Sequence, residues 1–321
     1  MSNTAESSPQ QEVTRIGIVL GPFKRLNVTA LQYCVLRMNS LQHWFEYEFL
    51  PGFELLQDEP QAEYLKVPER RQLRREDESL RQFLQTLSRD KLVDRGMVEV
   101  EAAEFVDVYE SYLWHLNQGY GLKYGGEPPG KHFVFVTEAR FHDNYYLTRQ
   151  PHVSIMALGN WQRGMAPPSI LEFILTLLMR LSVAIVCPSL QGPIHLGTKG
   201  CLFDFSRNLS EARQQVLQGF ICNHCRAALQ RHNLENLADD IIPVLDKEWF
   251  GRSDDPTSPA GIARNLGYDL FRTKGFEATP TEKFLATMSQ EGIKLPFAVS
   301  AAVIGAVLTA LLFVFLGLPQ L

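Results

Sequence analysis

Cysteine is scarce in this chain, with five residues among 321. So few, unevenly spaced cysteines exclude the disulfide framework of a small secreted domain. Positive charge is not in excess either, because 31 basic residues stand against 36 acidic ones and the net charge is −5. This balance predicts no nucleic-acid partner. Residues 1–14 lack the apolar segment of a signal peptide, so we expect a disordered tail on a chain that is not exported.

The common nucleotide-binding and hydrolase motifs are absent too. The chain contains no P-loop, no dinucleotide-binding glycine motif and no Gly-x-Ser-x-Gly turn. Apolar residues make up 45% and charged residues 21%, which is ordinary for a folded protein and excludes a transporter with many membrane spans.

Charge disappears near the C-terminus. Residues 295–321 contain no Asp, Glu, Lys or Arg, and residues 297–318 are mostly Ala, Val, Leu, Ile and Phe. As a helix, residues 297–318 would be roughly 33 Å long, enough to cross a hydrocarbon core of about 30 Å. The alternative is a buried core helix, which normally carries a polar stripe. We therefore expect a C-terminal transmembrane anchor that contacts the lipid bilayer through residues 297–318.

The residues around this segment predict its orientation and its contacts. Lys283 and Lys294 precede it and no basic residue follows, which indicates a single-pass protein with its N-terminal body in the cytoplasm. Small residues within it permit close pairing of helices, and hence a homo-oligomer, although small residues are also common in membrane helices generally. They are Ala302, Gly305, Ala306 and Ala310.

The body begins with a strand–helix–strand pattern, which is typical of α/β proteins. Residues 15–20 form a buried apolar strand, a helix follows from Asn27 to about Trp44, and residues 45–50 alternate as a second strand. Further strands are predicted over residues 133–137 and 152–158, followed by a long apolar core helix over residues 169–186.

A histidine and three cysteines form the clearest motif. Cys222 and Cys225 make a Cys-x-x-Cys pair, whose spacing lets two thiolates bind one zinc ion from a tight turn. Cys201 and His195 complete the four nitrogen and sulfur ligands that structural zinc prefers. His224 competes with His195 as the fourth ligand. A redox pair and unliganded thiols are the other interpretations, whereas a cytoplasmic location argues against a disulfide.

The segments GCLFDFSRN and GFICNHCRAAL resemble the zinc-binding part of archaemetzincins, a family of zincin-like metallopeptidases. The motif of that family is His-Glu-x-x-His-x-x-Gly-x-x-His-Cys-x4-Cys-x-Met-x17-Cys-x-x-Cys. The resemblance covers residues 168–229, with a spacing one residue longer and Phe203 in place of Met. In this register Gly192 falls on the motif glycine and His195 on the third histidine.

The resemblance implies a zincin-like α/β fold, with a mixed sheet, packed helices and a structural zinc site, but not zincin catalysis. The two helix histidines fall on Ile185 and Ser189, and the catalytic glutamate falls on Val186. A zincin needs two imidazoles one helical turn apart and an adjacent glutamate as general base. The first structural cysteine falls on Leu196, so His195 is interpreted as its replacement. No catalytic residue is assigned.

These observations predict an organisation and a function. We expect a zincin-like domain over residues 15–232, a helical extension and connector over 233–294 that packs on the body, and the anchor over 295–321. The expected function is that of a membrane-anchored, catalytically inactive metallopeptidase-like protein that acts in binding, in sensing with an unknown protein partner, or as a membrane effector. The alternative is a metal-dependent hydrolase with a site around His142, Asp143 and Glu172. The predicted cofactor is Zn²⁺ at His195, Cys201, Cys222 and Cys225.

Overall fold

The computed structural model describes residues 13–21, 23, 25–50, 67–87, 92–124, 130–191, 195 and 199–291, and six residues further on: 300, 303–305, 307 and 308. The chain divides into two compact units, residues 1–277 and residues 278–321, which are treated separately. The predicted tail, apart from its last two residues, and most of the predicted anchor lie outside the described residues.

The first unit contains seven described strands and nine described α-helices. The strands are β1 (Thr14–Leu20), β2 (Phe45–Leu50), β3 (Leu92–Val93), β4 (His132–Thr137), β5 (Arg140–Phe141), β6 (Leu147–Arg149) and β7 (Val153–Ala157). The helices are α1 (Val28–Asn39), α2 (Val67–Thr86), α3 (Arg95–Tyr124), α4 (Ile170–Val186), α5 (Leu209–Gln218), α6 (Asn223–Arg231), α7 (Leu237–Asp240), α8 (Ile242–Leu245) and α9 (Pro259–Asn265).

Five strands form a mixed sheet in the order β2-β1-β4-β7-β6. The first four are parallel to one another, and the edge strand β6 runs antiparallel to β7. Strands β3 and β5 pair separately. The predicted α/β class with a mixed sheet and packed helices is thus confirmed.

The sheet separates two hydrophobic clusters. Because successive side chains of a strand point to opposite faces, Ile18 of β1 packs with α1 and α4 while its neighbour Val19 packs with α2 and α3. The same alternation along β4 sends Val134 to the first cluster and Phe135 to the second. Because the central strands are buried on both faces, their sequences are nearly continuous runs of apolar residues.

Helix α4 is the centre of the larger cluster, as the sequence predicted. Nearly every side chain from Ile170 to Ala184 is buried. The helix begins with a capping box, in which Ser169 Oγ accepts a hydrogen bond from Glu172 N and Glu172 Oε2 accepts one from Ser169 N. The cap satisfies two backbone amides that would otherwise lack a partner at the buried start of this helix.

Residues 233–277 share this core. Phe250 and Tyr268 are buried within the same cluster as α1 and α4, and Trp249 packs against it. Trp44 Nε1 donates a hydrogen bond to Asp240 Oδ2 over 2.8 Å. The part of the predicted extension up to residue 277 therefore folds as one unit with the body.

The second unit contains α10 (Pro280–Glu291), which begins with Thr279 as its cap: Thr279 Oγ1 accepts a hydrogen bond from Glu282 N. Of the predicted anchor, only residues 300, 303–305, 307 and 308 are described, all of them helical, and Ala302, Ala306 and Ala310 fall outside. Within the described part of the chain, no helix combines the length and apolarity needed to cross a membrane.

Candidate metal centre

The four predicted ligands come from three short stretches of backbone. His195 and Asp204 form an isolated bridge, and so do Cys201 and Phe220. Leu202 N donates to Phe220 O over 2.8 Å, which joins the turn containing Cys201 to the residues that precede α6. Cys222 is the residue before α6 and Cys225 lies in its first turn. These bridges bring the Cys-x-x-Cys pair to the side of Cys201.

The ligand atoms converge on one point. His195 Nε2 lies 3.3 Å from Cys222 Sγ and 3.2 Å from Cys225 Sγ, and the Sγ atoms of Cys201 and Cys225 are 3.8 Å apart. All four donor atoms lie within 4.8 Å of one another. Cys201 and Cys225 are buried, whereas Cys222 and His195 are half-buried. The His/Cys₃ cluster could hold a metal ion.

Asp204 orients the histidine, a role that the sequence analysis missed. Its Oδ1 lies 2.7 Å from His195 Nδ1, and its Oδ2 accepts hydrogen bonds from Gly200 N and Cys201 N. A carboxylate opposite Nδ1 keeps the proton on that nitrogen and leaves the Nε2 lone pair facing the sulfurs. The sequence feature that could have indicated this role is the aspartate three residues after Cys201.

The cysteines influence each other's protonation. The hydrogen bond with Cys225 lowers the pKa of Cys201 to about 5, because it stabilises the Cys201 thiolate. The same contact, followed by burial, raises the pKa of Cys225. A thiolate is the form in which cysteine binds metal, and the cluster favours that form at Cys201.

Gly200 permits the turn before Cys201. Its φ is +128°, and a Cβ atom at this position would lie 2.2 Å from Gln218 Oε1. A larger residue would therefore strain the backbone and displace the segment that carries Cys201.

The structure distinguishes the two candidates for the fourth ligand. His195 belongs to the cluster, whereas His224 is exposed, with its ring centroid 6.0 Å from that of His195. In the regions that the structure describes, no second group of three or more His, Cys, Asp or Glu side chains is close enough to hold a metal.

The residues of the alternative hydrolase site do not form such a group. Asp143 Oδ2 accepts a hydrogen bond of 2.7 Å from Arg95 Nε, and His142 is exposed in the adjacent turn. Glu172 belongs to the capping box of α4, and its Oε1 lies 3.9 Å from Lys247 Nζ.

The positions that the resemblance aligns with zincin catalytic residues lie at the end of α4. Ile185 and Val186 are half-buried in its last turn, and Ser189 is exposed in the following 3-10 turn, Pro188–Leu190. None of these side chains provides an imidazole or a carboxylate. Gly192 and Leu196 lie outside the described residues.

Comparison with known proteins does not assign the chain to a family. No protein-family model matches the chain, and no curated protein or solved structure matches it. The archaemetzincin resemblance stays a prediction based on residues 168–229, and the chemistry of the site follows from its own geometry.

Proposed function

We propose that His195, Cys201, Cys222 and Cys225 bind one structural Zn²⁺ ion. The convergence of one imidazole nitrogen and three sulfurs within 4.8 Å supports this assignment. Zinc prefers four such ligands in a tetrahedron, with bonds of about 2.3 Å to sulfur and about 2.0 Å to nitrogen. Such a tetrahedron has edges of roughly 3.6 to 3.8 Å. Three of the six donor–donor distances here are 3.2, 3.3 and 3.8 Å, and all six are within 4.8 Å.

The proposed role of the ion is structural because four protein ligands leave no coordination position for water or substrate. Zinc would join the turn of Cys201 to the start of α6, two segments that also share backbone hydrogen bonds and the larger hydrophobic cluster. Structural zinc contributes on the order of 10 kcal/mol to folding in favourable cases.

We propose that the whole chain is a membrane-anchored, catalytically inactive metallopeptidase-like protein that acts in binding, in sensing or as a membrane effector. The absence of imidazole and carboxylate groups at Ile185, Val186 and Ser189 supports its inactivity. The uncharged residues 297–318 support the anchor. The metal centre would then stabilise a binding domain rather than perform hydrolysis.

Metal analysis of the purified full-length chain tests the zinc site. We expect about one zinc per chain. Cys222→Ser should lose the metal and lower the melting temperature, because serine is a poor zinc ligand. Cys34→Ala is the matched control: Cys34 is a buried core thiol of α1, so this variant loses stability but keeps its zinc.

Two results would contradict the assignment. One is wild-type protein that neither contains zinc nor binds added zinc, and the other is Cys222→Ser protein that retains a full complement. A peptidase activity that disappears in Asp143→Asn protein would contradict the proposed inactivity and favour the hydrolase alternative.

A further inference from the structure

A cavity of about 290 Å³ opens beside the edge strand β6, away from the metal ligands themselves. One wall is β6 and the residues before it, and the second is the C-terminal half of α4, with Leu181 and Ala184. Phe205 and Ser206, which follow Asp204, form a third wall. The volume lies just below the usual range for small-molecule sites, which is about 300 to 1,000 Å³.

The cavity lining is strongly basic. Arg95, Arg149 and Arg180 line it, and Glu99 is the acidic residue among the lining side chains. Arg95 is already paired, with Asp143 and with Glu99. For Arg149 and Arg180, by contrast, the described residues include no carboxylate within ion-pair distance. Arg149 and Arg180 thus line the cavity without a carboxylate partner among the described residues.

Arg149 has a buried nitrogen without a hydrogen-bond partner in the described part of the chain. Its Nη2 donates to the carbonyl oxygen of Ala184 over 2.9 Å, but its Nη1 is buried and has no hydrogen-bond partner among the described residues. Burial lowers the pKa of Arg149, which reflects the cost of removing its charge from water. A buried charge of this kind is stabilised by an ion that pairs with it.

Arg180 is held in place by a chain of hydrogen bonds. Its Nη1 donates to Gln215 Oε1 over 2.9 Å. Gln215 Nε2 in turn donates to the backbone oxygen of Asp204 and to Ser206 Oγ, which is hydrogen-bonded to the Tyr146 hydroxyl. Arg180 is thus positioned by buried side chains before any ligand arrives, which lowers the entropic cost of binding.

We propose that this cavity binds a small organic oxyanion, whose carboxylate or phosphate group is held between Arg149 and Arg180. Guanidinium groups bind either anion through paired, charge-assisted hydrogen bonds. The apolar side chains of Leu181 and Ala184 would contact the carbon part of the ligand. This site is independent of the proposed zinc and of the membrane anchor.

Isothermal titration of the purified full-length chain tests the proposal, with inorganic phosphate and succinate as separate probes and sodium chloride holding the ionic strength constant. We expect one anion to bind per chain. Binding of phosphate alone would identify a phosphorylated ligand, and binding of succinate alone a carboxylate ligand. Arg149→Gln and Arg180→Gln should each weaken binding by at least about tenfold. Arg37→Gln, which changes an exposed arginine of α1, should bind as wild type does.

Wild-type protein that binds neither probe above the chloride background would overturn the proposal. So would folded Arg180→Gln protein with wild-type affinity. If Arg149→Gln fails to fold, Arg149→Lys can be tested instead. Lysine retains the positive charge but lacks the planar guanidinium group with its paired donors, so this variant should show weakened binding. Wild-type affinity in Arg149→Lys would exclude the guanidinium contact proposed for Arg149.

Discussion

Asp204 connects two of the proposed metal ligands through a single carboxylate. One oxygen faces His195 Nδ1, and the other accepts the backbone amide of Cys201. The side chain therefore fixes both the tautomer of the imidazole and the path of the chain that carries a thiolate. Such partners of metal-binding histidines influence affinity although they do not touch the ion.

Asp204→Asn should weaken zinc binding by about 10- to 100-fold, measured by competition with a chromophoric chelator. The amide cannot replace the negative charge opposite Nδ1, and its single carbonyl oxygen cannot face Nδ1 and accept the hydrogen bonds from Gly200 and Cys201 at the same time. Asp254→Asn changes an exposed carboxylate that pairs with Arg252 and should leave the affinity unchanged. Equal zinc affinities in the two variants would show that Asp204 does not contribute to zinc binding.

His132 is a second residue whose surroundings have a measurable consequence. Its ring centroid lies 5.7 Å from that of His152, and its Nδ1 is buried with no hydrogen-bond partner in the described part of the chain. Burial lowers the pKa of His132, and the nearby charges of His152, Arg149 and Lys131 lower it further. The folded protein thus binds a proton at this site less readily than the unfolded chain does.

The stability of the protein should therefore decrease as pH falls below about 6.5, the pKa of an unperturbed histidine. The unfolded chain takes up the proton first, which favours unfolding. His132→Phe should show a smaller decrease in the free energy of unfolding between pH 7 and about pH 5, measured by urea denaturation. His142→Phe, at an exposed position, controls for the loss of one histidine. Identical pH profiles for wild type and His132→Phe would show that His132 makes no contribution.

At the scale of elements, α4 determines where the cavity and the core lie. Its apolar side chains fill the larger hydrophobic cluster, whereas Arg180 lies outside that cluster and lines the cavity. The start of the helix is buried, so its first backbone amides depend on Ser169 and Glu172 rather than on water.

Ser169→Ala should lower the free energy of unfolding by about 1 kcal/mol, because it removes one half of the capping box. Ser79→Ala is a suitable control: it removes an exposed hydroxyl from α2 and should change stability by less than about 0.5 kcal/mol. Denaturant titrations of both variants give the comparison. Equal stabilities would mean that the cap is energetically neutral.

At the scale of the whole molecule, the unit of residues 1–277 contains the sheet, the His/Cys₃ cluster and the cavity. The second unit carries α10 and the uncharged C-terminal segment. Removing this segment tests the proposed membrane anchor separately from the proposed zinc site.

Deletion of residues 297–318 should move the protein from the membrane fraction to the soluble fraction, because it removes the apolar length that can span a bilayer. Extraction of membranes with alkaline carbonate measures the change. Deletion of residues 1–12 is the control and should leave the distribution unchanged. A deletion variant still resistant to extraction would show that another part of the chain binds the membrane.

The sequence by itself determined the local features. The apolar runs of β1, β4 and α4, the Cys-x-x-Cys pair and the α/β class all follow from residues close together in the chain, since periodicity and turn spacing are local properties. These predictions required no knowledge of which distant elements touch.

Only the tertiary structure decided which side chains meet. It placed His195 rather than His224 beside the three thiols, set Asp204 behind the imidazole, and brought Arg149 of β6 to the same cavity as Arg180 of α4. Arg149 is 31 residues from Arg180 and Cys201 is 21 residues from Cys222, and even the shorter separation of His195 and Asp204 does not specify their contact, which depends on how the segments pack. Residue type and spacing alone do not specify that packing.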